Sequence, residues 1–437
     1  MKRFGYALIG TLFSSLAVGQ SLYFPPITGN EWETTAPESL GWCQERIDSL
    51  YSFLDTQNTK AFILLKDGKI VLEQYFDDHT QLTPWQWASA GKTITSFMVG
   101  LAQQDGYLSI EDETSDYLGE GWTICTPDQE SQITIRHQLT MTSGLNDGVS
   151  NNHCTQDTCL EYLSDAGTRW AYHNAPYTLL DSVIHNATGQ TLNAYTNVKL
   201  KTPTGMSGIF VSLDDDNVFF SNARSMARFG LLILNHGDWD GNVIMTDQEY
   251  FDQMVHSSQQ INQSYGYLWW LNGQPSFMIP QLQFAFDGPL FQNAPSDVVA
   301  AMGKDGQFLN VVESDNMVWV RMGESPDDLP VPYLLNDEIW VYVNDLTCSP
   351  NQVADMESQH ENTSIVYDES NSMVKAISNE RILNAEIFNN LGQLITTVNG
   401  NELISGILFE RYGAGMYFVR MNLENHQFKV IGFMKGL

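Results

Sequence analysis

Strand-like sequence lies toward the two ends of one long stretch of this chain and helical sequence lies between, which leaves few ways to close a sheet. Ala61-Phe62-Ile63-Leu64-Leu65 and Ile70-Val71-Leu72-Glu73-Gln74-Tyr75 flank Lys66-Asp67-Gly68, and Asp-Gly between apolar runs predicts a tight β-hairpin. Strand-like runs return at Val298-Val299-Ala300-Ala301-Met302, Phe308 to Val312 and Met317 to Val320, followed by an apolar segment from Tyr333 to Val343. From Ser89 to about Leu234 the pattern is mainly helical, with loops rich in Gly, Asn and Asp. The expectation is an α/β fold: one antiparallel sheet built from both ends of a domain, flanked by helices, with a helical region inserted. Helical periodicity also runs from Pro37 to Leu54, and from Tyr177 to Thr188 with a stop at Gly189.

At 437 residues, 43% of them apolar, two folded units are expected. The composition shifts after Cys348-Ser349-Pro350, and residues 351–364 are polar and acidic, as a linker would be. Beyond them Ala385-Glu386-Ile387-Phe388-Asn389, Gln393-Leu394-Ile395, Gly415-Met416-Tyr417-Phe418-Val419-Arg420 and Phe428-Lys429-Val430-Ile431 alternate, with a turn at Asn390-Leu391-Gly392. These predict the short strands of a small all-β sandwich. Met1-Lys2-Arg3 precede an apolar stretch from Tyr6 to Val18, too short to span a bilayer, and small residues at Ala17 and Gly19 mark cleavage before Gln20: the pattern of a signal peptide. The domain plan is therefore a signal peptide at 1–19, a main domain at 20–347, a linker at 348–364 and a sandwich at 365–437.

A balance of 21 Lys+Arg against 52 Asp+Glu, a net charge of −31, opposes binding to nucleic acid or to an anionic membrane and keeps an exported protein soluble. Export permits disulfides. Cys43, Cys125, Cys154, Cys159 and Cys348 are odd in number, so at least one thiol stays unpaired, and Cys154 with Cys159, flanking a short polar loop, is the expected pair. Neither Cys-x-x-Cys nor His-Glu-x-x-His occurs, so no metal is expected, and no cofactor is implied.

In Trp87-Ala88-Ser89-Ala90-Gly91-Lys92, Ser89 and Lys92 stand three apart and would share one helical face, with Ile94, Phe97, Met98 and Leu101 as the buried stripe and Gly106 as the stop. A lysine desolvated by that wall has a lowered pKa and can take the serine proton. Spacing alone is a weak signal, since Ser372-Met373-Val374-Lys375 repeats it with no such setting. An α/β-hydrolase is disfavoured by the absence of Gly-x-Ser-x-Gly. What adds weight is order: Ser89/Lys92, then Tyr172-His173-Asn174, then Lys304-Asp305-Gly306 on a late strand.

Together with Leu139-Thr140-Met141-Thr142-Ser143-Gly144-Leu145, Tyr177-Thr178-Leu179-Leu180-Asp181-Ser182-Val183-Ile184, Ala227-Arg228-Phe229-Gly230-Leu231-Leu232 and Tyr265-Gly266-Tyr267-Leu268-Trp269-Trp270, these motifs make the stretch from about Leu40 to Val343 resemble the serine β-lactamase and penicillin-binding-protein-like superfamily, in particular its class C-like branch of esterases and amidases. The resemblance implies a nucleophile at Ser89, its helix partner at Lys92, a general base or acid at Tyr172, and a substrate- and lysine-binding amide at Asn174. It places the oxyanion donors at the backbone N–H groups of Ser89 and Gln307, with Lys304, Asp305 and Gly306 lining the cleft. His173 is read as incidental, Ser143 as a turn residue, and Asp214-Asp215-Asp216 as a solvated loop. The middle residue of the third motif is usually Thr or Ser in β-lactamases and transpeptidases. Here Asp305 would repel an anionic substrate and favour a neutral or cationic one. The expected activity is hydrolysis of a small-molecule ester or amide through an acyl-enzyme. A peptidoglycan D,D-peptidase, a β-lactamase or a non-catalytic binding protein on the same scaffold are the alternatives.

The last unit resembles the sorting domains of the type IX secretion system, on Ile387-Phe388-Asn389-Asn390-Leu391-Gly392-Gln393-Leu394, Gly415-Met416-Tyr417-Phe418-Val419 and the closing Phe428-Lys429 region. That resemblance implies the secretion machinery as a partner, and an enzyme released to the exterior or held at the cell surface by way of the periplasm.

Overall fold

A computed structural model describes residues 22–325, 331–348 and 363–437, apart from 369–370, 379, 390–392, 414, 425–427 and 436–437. The signal peptide, nearly all of the linker and the turn expected at Asn390-Leu391-Gly392 lie outside the described residues.

Helix α1 (Gln44–Thr56) leads into β1 (Thr59–Lys66) and β2 (Lys69–Tyr75). Their hairpin forms as its Asp-Gly requires: Lys66 pairs with Lys69, and Asp67 and Gly68 between them take φ of 51° and 80°. After β3 (Trp85–Gln86) the chain enters α2 (Lys92–Gln104), which is buried all round from Lys92 to Ala102 and ends just before Gly106. The inserted region contains α3 (Asn174–Thr178) and α4 (Leu180–Thr188), the latter stopped by Gly189 at φ 70°. It also contains a hairpin, β4 (Ile209–Leu213) and β5 (Asp216–Ser221), with β3 paired to β5, followed by α5 (Ala223–Leu234). The chain then returns to the sheet with β6 (Trp270–Leu271), β7 (Val299–Gly303), β8 (Gln307–Val312) and β9 (Met317–Gly323), and α6 (Tyr333–Asn344) follows.

The six-stranded sheet has the order β2-β1-β9-β8-β7-β6 and is antiparallel throughout, so the first hairpin lies beside the last strand. Both faces are covered, which is why β1 and β9 read as nearly unbroken apolar runs. Neighbours on a strand point to opposite faces. Val318 presses on Gly230 of α5, where an added Cβ would fall 2.5 Å from it, while the Trp319 ring lies 5.6 Å from that of Trp340 on α6. On the α6 side Phe53 of α1 stacks on Tyr342.

Two expectations need correcting. Pro37 to Leu54 is not one helix: a 3-10 turn at Pro37–Leu40 ends at Gly41 (φ 76°), and α1 begins only after Cys43, whose N–H donates to Leu346 O at 3.0 Å. Nor is Asp214-Asp215-Asp216 only a loop, since Asp216 opens β5. Cys154 and Cys159 are bonded as expected; Cys43 pairs with Cys348, and Cys125 is the free thiol.

The C-terminal unit is all-β with one short helix. β10 (Ser364–Asp368), β11 (Met373–Ile377), β12 (Ile382–Asn389) and β13 (Leu394–Asn399) precede α7 (Gly400–Ser405), and β14 (Ile407–Leu408), β15 (Gly415–Leu423) and β16 (Phe428–Lys435) follow it. They make two sheets, β10-β11-β14 and β13-β12-β15-β16, over a core that includes Val374, Ile387, Val419 and Phe433.

Candidate active site

The serine sits on a strained turn, not within a regular helix as the spacing suggested. Trp87 is anchored to β5 twice, its backbone N–H donating to Phe219 O at 2.8 Å and its indole N–H to Ser221 Oγ at 2.8 Å. Ala88 then takes φ 46°, a left-handed conformation that costs a non-glycine residue about 1–3 kcal/mol. The 3-10 turn Ala88–Gly91 carries Ser89, half-buried, and runs directly into α2, of which Lys92 is the first residue. As the second residue of that turn, Ser89 has a backbone N–H with no earlier helical carbonyl to bond.

Lys92 Nζ lies 2.9 Å from Ser89 Oγ. The ammonium is buried against the rings of Tyr172 and Tyr177, whose centroids are 5.2 and 4.3 Å away. Burial lowers its pKa to about 7, against the opposing pull of the Asp216 carboxylate. Roughly half of the lysine is therefore a neutral amine near pH 7, able to accept the serine proton. Burial drives the Tyr172 hydroxyl the other way, well above its ordinary range, although its hydrogen bond with the Ser89 side chain works to lower it. Lys92 meets the ring and is itself only about half charged near pH 7, so Tyr172 stays a phenol, a proton donor.

Asn174 is the first residue of α3 and is buried beside Tyr172. It does not cap the helix with its side chain. Its Nδ2 donates to Asn152 Oδ1 at 3.3 Å and faces His153 Nε2 at 3.2 Å, while His153 Nδ1 lies 2.6 Å from Asp216 Oδ1. His173 is buried with no hydrogen-bond partner on either ring nitrogen among the described residues, and burial lowers its pKa to about 4, so it is neutral. His153 and Asp216 were missed in the sequence. Apolar residues on both sides of Asp214-Asp215 could have signalled the hairpin; nothing local pointed to His153.

The third motif needs a correction of one residue. Lys304-Asp305-Gly306 forms the turn between β7 and β8: Lys304 is exposed and Asp305 takes φ 64°. Arg321 holds this turn from inside the protein, its Nη1 donating to Asp305 O at 2.9 Å and to Gly306 O at 2.7 Å. The Asp305 carboxylate meets Gln86 Nε2 at 3.5 Å, and the Gln307 side chain is committed to the backbone of Gly323. The residue set against the serine turn is Gly303. A Cβ there would fall 2.4 Å from Trp87 O, 2.9 Å from Ala90 N and 3.1 Å from Ser89 N.

A sheet built from both ends of the domain and a buried helix that brings a lysine amine to a serine on its leading turn, with a tyrosine beside them, define a protein of the β-lactamase-like hydrolase class. The family described as Beta-lactamase matches residues 57–308, more than half of the sequence, and the chain belongs to that family. No curated protein matches it. Among solved structures, a proposed 6-aminohexanoate-dimer hydrolase from Bacillus anthracis is 18% identical, with a TM-score of 0.55 over 75% of this chain and 88% of that one. A penicillin-binding protein homologue from Caulobacter crescentus is 11% identical (TM-score 0.52, 69% and 98% covered). An octameric penicillin-binding protein homologue from Pyrococcus abyssi is 14% identical (TM-score 0.52, 90% and 96% covered). At these identities the likeness is one of fold.

Proposed function

We propose that the protein is a serine hydrolase that cleaves a small ester or amide through an acyl-enzyme on Ser89. The observation that carries this reading is the 2.9 Å approach of Ser89 Oγ to a lysine amine whose pKa burial brings to about 7. Ser89 Oγ attacks the acyl carbon as its proton passes to Lys92 Nζ, and the carbonyl oxygen becomes an oxyanion. The Ser89 N–H and a backbone N–H at the end of β7 receive it in this reading, and loss of one such donor costs about 2.7–4 kcal/mol of barrier. Tyr172 gives its proton to the leaving group and is reprotonated from Lys92. Water then attacks the ester on Ser89 with the amine again as base. A neutral or amine-bearing substrate suits the site better than a penicillin: Gly303 is the strand residue beside Ser89, and Lys304 is exposed on the turn that follows it.

Intact-mass spectrometry after treatment with a fluorophosphonate, and separately with a penicillin, tests the mechanism. Stoichiometric phosphonylation of the wild type, absent in Ser89→Ala, is expected; labelling that survives in Ser89→Ala defeats the assignment.

Export and sorting by the C-terminal unit belong to the same proposal. Two disulfides support an oxidising compartment. A chain ending at Cys348 should keep its esterase activity yet fail to reach the medium of its native host, and normal export of that chain would remove the sorting role.

A further inference from the structure

We propose that His153, held by Asp216, fixes the Asn174 amide with its oxygen free toward the cleft, and that the site thereby favours acyl donors carrying an N–H close to the scissile carbonyl. This rests on the serine-hydrolase reading above.

Asn174 follows Tyr172 by two residues and precedes Tyr177 by three, and both tyrosine rings lie against Lys92, so Asn174 borders the reacting groups. Its two amide hydrogens go to Asn152 Oδ1 and His153 Nε2, at 3.3 and 3.2 Å. Its Oδ1 accepts no hydrogen bond from the described residues. The orientation is dictated by chemistry two residues away. A carboxylate can only accept, so the imidazole nitrogen 2.6 Å from Asp216 carries the ring proton. In the neutral ring Nε2 is then bare, and it takes the Asn174 N–H while excluding Oδ1.

The loop bearing His153 is pinned on both sides. His153 N donates to Asn151 Oδ1 at 3.1 Å, Asn151 Nδ2 to Asp215 Oδ2 at 3.0 Å, and Ala175 N to Asn152 O at 3.0 Å, with the Cys154–Cys159 disulfide closing its far end.

Protonation of His153 reverses the logic. Nε2 becomes a donor facing a donor, and the Asn174 amide must turn round, withdrawing its oxygen from the cleft. The groups that bear on this ring are Asp216 on β5 and, through Asn151, Asp215 at the β4–β5 turn. His173 faces it from the segment before α3, with the Asp147–Arg169 ion pair beyond, and Lys92 lies across Asp216.

The test is a ratio: kcat/KM for the p-nitrophenyl ester of N-acetylglycine divided by that for p-nitrophenyl acetate. Ionisations of Lys92 and Tyr172 act on both esters and cancel. In His153→Ala it should be about tenfold lower than in the wild type, the worth of one hydrogen bond. His153→Gln, whose amide oxygen can accept where Nε2 did, should restore most of the ratio. A wild-type ratio retained in His153→Ala, or equal losses on both esters, overturns the proposal. Phosphonylation of Ser89 reports whether each variant has folded, and if His153→Ala is not labelled, the ratio in His153→Leu, which keeps bulk but offers no acceptor, decides: a wild-type ratio refutes. A wild type that is neither labelled nor active on either ester defeats the hydrolase reading instead.

Discussion

Gly303→Ala tests whether the end of β7 helps to build the serine site. Gly303 has φ −131° and ψ 163°, ordinary extended backbone that alanine adopts freely, so any effect is one of space. The added methyl would lie 2.4 Å from Trp87 O, 2.9 Å from Ala90 N and 3.1 Å from Ser89 N. All three are backbone atoms of one turn, and no side chain can swing aside. Restoring van der Waals contact near 3.5 Å needs a shift of roughly 1 Å between β7 and the turn. Overpacking of this kind destabilises by about 1–3 kcal/mol, and a 1 Å misplacement at a reacting centre costs about a hundredfold in rate. The expected result is a fall of about two decades in kcat on p-nitrophenyl acetate, with KM nearly unchanged and a melting temperature lower by only a few degrees. Gly413→Ala, where an added Cβ meets nothing within 4 Å, is the matched control and should behave as wild type. If Gly303→Ala keeps kcat within about threefold of wild type, or if its loss merely tracks the unfolded fraction, β7 does not shape the site and the reasoning fails.

Because Lys92 must be neutral to accept a proton and its pKa lies at about 7, kcat/KM should rise with pH through that value and level above it; a profile flat from pH 5 to 9 would contradict a lysine base. Ser89→Ala and Lys92→Ala should each abolish most turnover, and the double variant should be little worse than either, as for groups acting together; additive losses would separate their roles. Asp305→Thr should lower stability by about 1–3 kcal/mol in thermal melts, because a β-branched residue is strained at φ 64°, and should bring no gain in penicillin acylation. Replacing Cys43 and Cys348 together with serine should cost about 2–5 kcal/mol of stability, read from denaturant midpoints with unchanged m.

Local turn chemistry made the β1–β2 hairpin readable, since Asp67-Gly68 admits few alternatives. The Ser89–Lys92 contact was readable because three residues make one helical turn, even though the turn proved to be 3-10. The strand contact was harder. Lys304-Asp305-Gly306 matches a site motif, yet it is also a copy of the Lys66-Asp67-Gly68 turn, and only the pairing of Gly303 with Gln307 reveals that it is a turn with Gly303 before it. His153 and Asp216 are 63 residues apart, and their contact exists only once β5 and the 151–154 loop have folded over α3. The break at Gly41 was hidden for a similar reason, because what interrupts the helical period is the return of the chain near Leu346.

The Cys43–Cys348 bridge turns the main domain into a covalent ring, its two ends 5.5 Å apart at Cα. A single covalent connection leads from that ring to the C-terminal unit, whose Phe388 ring also lies 5.0 Å from that of Phe284. Traction on the C-terminal unit is therefore taken up at the knot, where Cys43 N and Leu346 O are already hydrogen-bonded and Trp42 bridges to Thr347, before it can reach α6, β1 or the serine turn. A protease that cuts the chain after Cys348 leaves both ends of the main domain joined. Tugging or trimming at that end should leave the folded domain as it was.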